Sequence, residues 1–127
     1  SHCGPVGVDV ELCRPERDLL TLAESFFAAE ERAALRALPE AERPAAFYRV
    51  WARKEAFIKA VGLGLRFGLE RFAVSSEADA PQLLRVDTDP LAGERWQLRD
   101  VKAADGYAGA LVAPAEAGRI ESFAWNP

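Results

Sequence analysis

The amino-acid sequence predicts an α+β fold, an antiparallel sheet packed on helices. Three observations predict it: a strictly alternating segment near the start, apolar residues at helical spacing from Leu19 to Val61, and short apolar segments separated by turn-formers after Gly68. At 127 residues the chain reads as one domain, 1–127, large enough to bury roughly 65–70% of its unfolded surface.

Val6 to Glu11 reads V-G-V-D-V-E, the alternation of a half-buried strand, with Val6, Val8 and Val10 on one face and Gly7, Asp9 and Glu11 on the other. Arg14 and Pro15 end it. Leu19, Leu22, Phe26, Leu35 and Leu38 then recur at helical spacing, and Phe26-Phe27-Ala28-Ala29 separates two short helices. Pro39 and Pro44 bracket a break, Pro44 suiting the first turn of the long helix that runs to Val61. Gly62 and Gly64 stand where a left-handed cap closes a helix. Five short strands follow, over Phe72–Ser75, Gln82–Val86, Trp96–Lys102, Tyr107–Ala113 and Ile120–Trp125, as an antiparallel meander. Asp89-Pro90 and Ala92-Gly93 mark turns, and Asp105-Gly106 predicts a hairpin joining the third of these strands to the fourth.

A composition of 50% hydrophobic and 28% charged residues is globular, and excludes the disordered and membrane classes. The net charge of −4, with dispersed basic residues, excludes a nucleic-acid surface but permits a polyphosphate ligand where a metal ion and a few lysines neutralise it. Only two cysteines occur, Cys3 and Cys13, with no CxxC pair or histidine cluster to complete a zinc site. Reduced thiols, no signal peptide and no membrane-spanning run lead to the expectation of a cytoplasmic protein. With no methionine in the sequence, residues are expected to precede Ser1.

Asp9 and Glu11 leave the same face of their strand about 7 Å apart at the backbone. The ordinary reading is a solvated edge; the chemical one is a hard divalent cation held by both carboxylates and by substrate phosphates. On the long helix, Phe47, Val50, Trp51, Phe57, Ile58 and Val61 share an arc that is expected to pack on the sheet, with Trp51 and Trp96 in the core. Lys54 falls within that arc, where an unpaired ammonium is costly, while Glu55 flanks it and Lys59 lies one turn on. Glu55 and Lys59 alone make an i,i+4 surface pair worth about 0.3–0.5 kcal/mol. Combined with Asp9 and Glu11, they and Lys54 make three acids and two lysines, the donor set of a metal-pyrophosphate site.

Val6 to Glu11 resembles the G-[IV]-D-[IV]-E motif, and Trp51 to Gly62 the W-x-x-K-E-[AS]-x-x-K-x-x-G motif, of 4'-phosphopantetheinyl transferases of the surfactin-synthetase-activator (Sfp) type. Glu31 resembles the acid after their F-F segment, and Ser1-His2 the start of their S-H-S motif. The resemblance covers most of the C-terminal half of such an enzyme. It implies one half of the two-half transferase fold, and transfer of 4'-phosphopantetheine from coenzyme A to a serine of an acyl or peptidyl carrier protein, as in polyketide or nonribosomal peptide biosynthesis. It further implies Mg2+ held by Asp9, Glu11 and Glu55, and coenzyme A phosphates met by Ser1, His2, Lys54 and Lys59. Lys59 would stabilise charge on the bridging oxygen, and Glu55 or Glu31 would deprotonate the serine. Leu19, Leu22, Phe26 and Phe27 are core residues or, by the same resemblance, a place where the carrier docks.

The chain also departs from that family. Such enzymes have two similar halves enclosing coenzyme A, and the first half is absent here. Only Cys3-Gly4-Pro5 separate Ser1-His2 from the alternating strand, where the family has a whole strand, and Cys3 replaces the second serine. Missing sequence near Gly4-Pro5, a fragment, or self-association of the trimeric acyl-carrier-protein-synthase kind are the expectations that follow. A half-domain that only binds coenzyme A or a partner protein is the alternative function. A magnesium enzyme hydrolysing nucleotide pyrophosphates ranks third, because no glycine-rich phosphate loop is present.

Overall fold

A computed structural model describes residues 6–14, 18–62, 68–117 and 124–125. The first strand, β1 (Gly7–Leu12), is followed by α1 (Leu19–Phe26), α2 (Ala29–Ala37) and the long α3 (Arg43–Val61). Then come β2 (Phe72–Val74), β3 (Leu83–Val86), α4 (Ala92–Arg95), β4 (Trp96–Ala103), β5 (Tyr107–Pro114) and β6 (Ala124–Trp125). The predicted α+β class holds.

Local chemistry sets the helix bounds. Asp18 caps α1, accepting from the Thr21 amide at 3.3 Å and from its hydroxyl at 2.7 Å. The extended Phe27 breaks the chain before α2 and is fully buried. Pro44 sits in the first turn of α3, and Gly62 ends it at φ 72°, its amide donating to the Ile58 carbonyl at 2.9 Å.

The expected meander is replaced by two sheets. The larger has the order β1-β5-β4-β6, with β1 and β4 antiparallel to β5 and β6 parallel to β4. The β4–β5 hairpin turns at Asp105-Gly106, Gly106 adopting φ 85°. The smaller sheet pairs β2 with β3 alone. A helical turn, α4, stands where turn residues were read at Ala92-Gly93. Of the strand expected over 120–125, only Ala124–Trp125 falls among the described residues.

Helix α3 runs between the layers and is buried on nearly every side. Its sheet side is a row of small residues, Ala52, Ala56 and Ala60, at i,i+4 spacing. A Cβ added to Gly7 would come within 1.9 Å of the Ala56 carbonyl oxygen and 2.5 Å of the Ala60 nitrogen, so strand and helix touch backbone to backbone. The predicted aromatic arc faces elsewhere. Phe47 stacks on Phe27 with centroids 4.9 Å apart, and Phe57 meets Phe72 at 4.8 Å and Trp96 at 6.0 Å, so the arc packs on the α1–α2 junction and on β2 and β4. Trp51 and Trp96, expected wholly in the core, are half-buried.

The close approach at Gly7 inverts the reading of β1. Its face bearing Gly7, Asp9 and Glu11 turns toward α3, leaving Asp9 only 7% exposed, while Val6 and Val8 are 45% and 39% exposed. An edge of solvated acids is therefore not what this strand presents. The helix side has no room for valines against the α3 backbone, so the polar face is the one covered.

Candidate active site

Position 9 of β1 faces Lys59, in the last turn of α3. The Lys59 ammonium donates to Asp9 Oδ1 at 2.7 Å and to the Val8 carbonyl at 3.3 Å. The other carboxylate oxygen, Asp9 Oδ2, is buried without a hydrogen-bond partner. A buried oxygen of this kind costs about 1–3 kcal/mol unless something binds it.

Glu11 and Glu55 complete the group. Burial raises the Glu11 carboxyl from its ordinary value to about 8, aided by the adjacent Asp9 carboxylate and by the Glu55 charge, with Lys59 opposing. Burial and the Asp9 charge raise Glu55 as well. Hydrogen bonding to Asp9 raises Lys59, and the charges of all three acids add to this. Three carboxyl groups and one ammonium thus share one electrostatic neighbourhood, with more negative charge than the ammonium neutralises.

Glu55 and Lys59 also line a cleft of about 630 Å³ with Phe26, Trp51, Ile58 and Leu69. Phe26 meets Trp51 edge-on at 5.8 Å and remains 40% exposed. The charged group therefore opens beside an apolar trough.

Lys54 and Glu31 lie apart from it. The Lys54 ammonium donates to Glu31 Oε1 at 2.8 Å and Oε2 at 2.9 Å, and to the Phe72 carbonyl at 2.5 Å, and it lies 4.1 Å from the Phe72 ring centroid. Glu31 also accepts the amides of Ala28 and Val74, each at 2.8 Å. Both side chains are 0% exposed. Burial pushes the Glu31 carboxyl up and the Lys54 ammonium down, each held back chiefly by its partner. Lys54, expected at a phosphate, and Glu31, expected at the serine, are here turned to each other and not toward the group around Asp9. The ammonium has no proton left to offer and the carboxylate no open face.

Sequence reasoning passed over Arg53. Its fork grips both Asp100 oxygens at 2.9 Å, and it also donates to the Ser75 and Glu77 carbonyls at 2.7 and 2.9 Å. An arginine one helical turn after Arg49 and next to Lys54, in the stretch of α3 that carries the apolar arc, was the available signal. Ser1 and His2, expected at the coenzyme A phosphates, lie outside the described residues.

Comparison with known proteins gives this arrangement its context. The pattern of the 4'-phosphopantetheinyl transferase superfamily matches residues 5–112, a span holding β1, all of α3 and most of β5. The chain belongs to that superfamily. As a member, it is 32% identical over 122 residues to the 4'-phosphopantetheinyl transferase HetI of Nostoc sp. strain PCC 7120, covering 96% of this chain and 46% of HetI. It is 37% identical over 75 residues to Sfp of Bacillus subtilis strain 168, covering 59% of this chain and 33% of Sfp. The chain thus spans less than half the length of these curated relatives. Its fold is similar to that of the Thermotoga maritima holo-[acyl-carrier-protein] synthase, with TM-score 0.67 and 26% identity over 87% of this chain and 62% of that one. The Bacillus anthracis synthase, solved in complex with CoA (3',5'-ADP), shares the fold at TM-score 0.62 and 23% identity, over 87% of this chain and 94% of that one.

The superfamily implies a divalent metal, and the residues can be tested against one. As they stand, no group of three His, Cys, Asp or Glu side chains among the described residues is gathered closely enough to hold an ion. The donor chemistry nevertheless fits. All three groups are hard oxygen ligands, and Asp9 Oδ2 is buried and unsatisfied beside them.

Proposed function

We propose that this chain supplies the metal- and phosphate-binding half of a magnesium-dependent 4'-phosphopantetheinyl transferase, which moves phosphopantetheine from coenzyme A to a serine of an acyl or peptidyl carrier protein. The observation behind it is the shared neighbourhood of Asp9, Glu11, Glu55 and Lys59 beside an apolar cleft, in a chain of this superfamily.

Asp9, Glu11 and Glu55 would hold Mg2+, which when bound supplies positive charge against a pyrophosphate. The Lys59 side chain, 53% exposed, brings its ammonium to the phosphate that bears growing negative charge during in-line attack. Glu55, whose proton affinity is raised and which lines the cleft, takes the serine proton directly or through a water. Glu31 and Lys54 fix α3 in place rather than touch substrate, and Ser1 and His2 contact the coenzyme A phosphates. A second half, in the same polypeptide or from another copy, completes the cleft. Cys13 is a free thiol, in keeping with a cytoplasmic setting. No helix among the described residues is long and apolar enough to cross a membrane.

The test is carrier modification by the full-length protein with magnesium and coenzyme A, read by mass spectrometry. Gain of a phosphopantetheine mass on the carrier serine is expected; no gain rejects the reading. A half-domain that only binds is the second reading, favoured by the ungathered acids. Coenzyme A affinity indifferent to magnesium and to Glu55→Gln would select it.

A further inference from the structure

The lysine on Asp9 occupies an acid that the metal also needs. Asp9 Oδ1 is taken by the Lys59 ammonium at 2.7 Å, yet Asp9 Oδ2 has no partner although the side chain is 93% buried, that is, 7% exposed. Lys59 itself remains half-exposed at the rim of the apolar cleft, on a flexible four-carbon stem. One ammonium among three carboxyl groups is a counterion that relieves them only in part.

From this we infer that Lys59 is an internal stand-in for the metal: in the metal-free protein its ammonium holds Asp9, and an arriving divalent cation displaces it into the cleft, toward the substrate phosphates. Metal binding and phosphate binding are then coupled through one side chain. The cation releases the lysine that the diphosphate needs, so the phosphate site is completed only after the cation is in place. The ungathered state of the acids has the same origin. While Asp9 points one oxygen at Lys59, the carboxylates are not drawn around a common centre. The inference rests on the proposed function only in taking Asp9, Glu11 and Glu55 as cation ligands.

The consequence runs against intuition for a residue that serves the reaction. Removing a competing cation should tighten metal binding. In the full-length protein without coenzyme A, calorimetric titration with MgCl2 is expected to show Lys59→Met binding Mg2+ about three- to fivefold more tightly than wild type, the range a partly exposed ion pair can hold. Lys59→Arg, which keeps the cation, should stay near wild type. Equal or weaker Mg2+ binding by Lys59→Met overturns the inference.

Amine labelling gives a second readout that needs no variant. Limiting acylation followed by peptide mass spectrometry should modify Lys59 severalfold more when Mg2+ is present. The exposed Lys102 serves as internal reference and the enclosed Lys54 stays protected in both states. Labelling of Lys59 that ignores Mg2+ also overturns it. The outcomes separate the two readings. Mg2+ binding that is present but indifferent to Lys59 removes only the stand-in role, whereas no Mg2+ binding by wild type or Lys59→Met removes the metal site and the proposed function with it.

Discussion

Lys54 and Glu55 are neighbours in sequence and opposites in physics. Lys54 points into the seam between α3, α2 and β2, where every proton of its ammonium has an acceptor and every lone pair of Glu31 that faces the protein has a donor. Glu55 points the other way, into a half-exposed neighbourhood where Asp9 Oδ2 lacks any partner and two carboxyl groups have their proton affinity raised. One group of charges is closed and satisfied; the other is open and over-charged. Satisfied buried charge marks a device that fixes structure, and unsatisfied charge beside a cleft marks one that waits for a ligand.

Breaking the closed pair should give the largest effect. Lys54→Ala leaves the Glu31 carboxylate buried without its counter-charge, and a loss of about 3–5 kcal/mol in denaturant unfolding is expected. Replacing both members, Glu31→Leu with Lys54→Met, should recover only part of that loss, because no buried charge is then left unpaired while the Ala28 and Val74 amides lose their acceptor. A double variant no more stable than Lys54→Ala would show that the pair does more than satisfy itself. The open group should respond in the reverse manner. Glu55→Gln is expected to lower carrier modification by the full-length protein about 100-fold or more while leaving the unfolding midpoint within about 1 kcal/mol of wild type. A large loss of stability there would erase the distinction between the two regions.

The link between them is Gly7, whose missing Cβ lets β1 lie on the α3 backbone. Gly7→Ala must push strand from helix, with an expected cost of about 1–3 kcal/mol and weaker Mg2+ binding by calorimetry. Intact Mg2+ affinity in a destabilised Gly7→Ala protein would mean that the acids do not depend on this approach.

Much of the fold was legible because it is written locally. The break at Phe26–Ala29, the Pro44 entry, the Gly62 cap and the Asp105-Gly106 turn each depend on residues within a few positions. The two sheets in place of a meander, and the face that β1 presents, were not legible, since both are decided by contacts across the chain. The alternation V-G-V-D-V-E defines two faces but does not say which is covered; only the α3 backbone against Gly7 decides it. In the site, the motif residues Asp9, Glu11, Glu55 and Lys59 were named from sequence. The separate fate of Lys54 was not, because its partner Glu31 lies 23 residues away on another helix.

The smallest expected effect is also the one that tests the comparison most directly. Glu11 sits between Asp9 and Glu55, and burial with those charges makes its ionised form unfavourable in the folded protein. Near neutral pH the Glu11 side chain must take up a proton as the chain folds, and Glu11→Gln puts a permanently neutral group of nearly the same shape in its place. Without magnesium the variant should therefore unfold at the same point as wild type or be up to about 1 kcal/mol more stable, a magnitude limited by the solvent that reaches a half-buried group. With saturating magnesium the order should reverse, because wild type gains stability from an ion bound only by the native state and the variant gains less. Parallel unfolding curves with and without the ion show whether the order crosses. If Glu11→Gln is destabilising in both conditions, the carboxylate is held by the fold as Glu31 is, and the open group is not open.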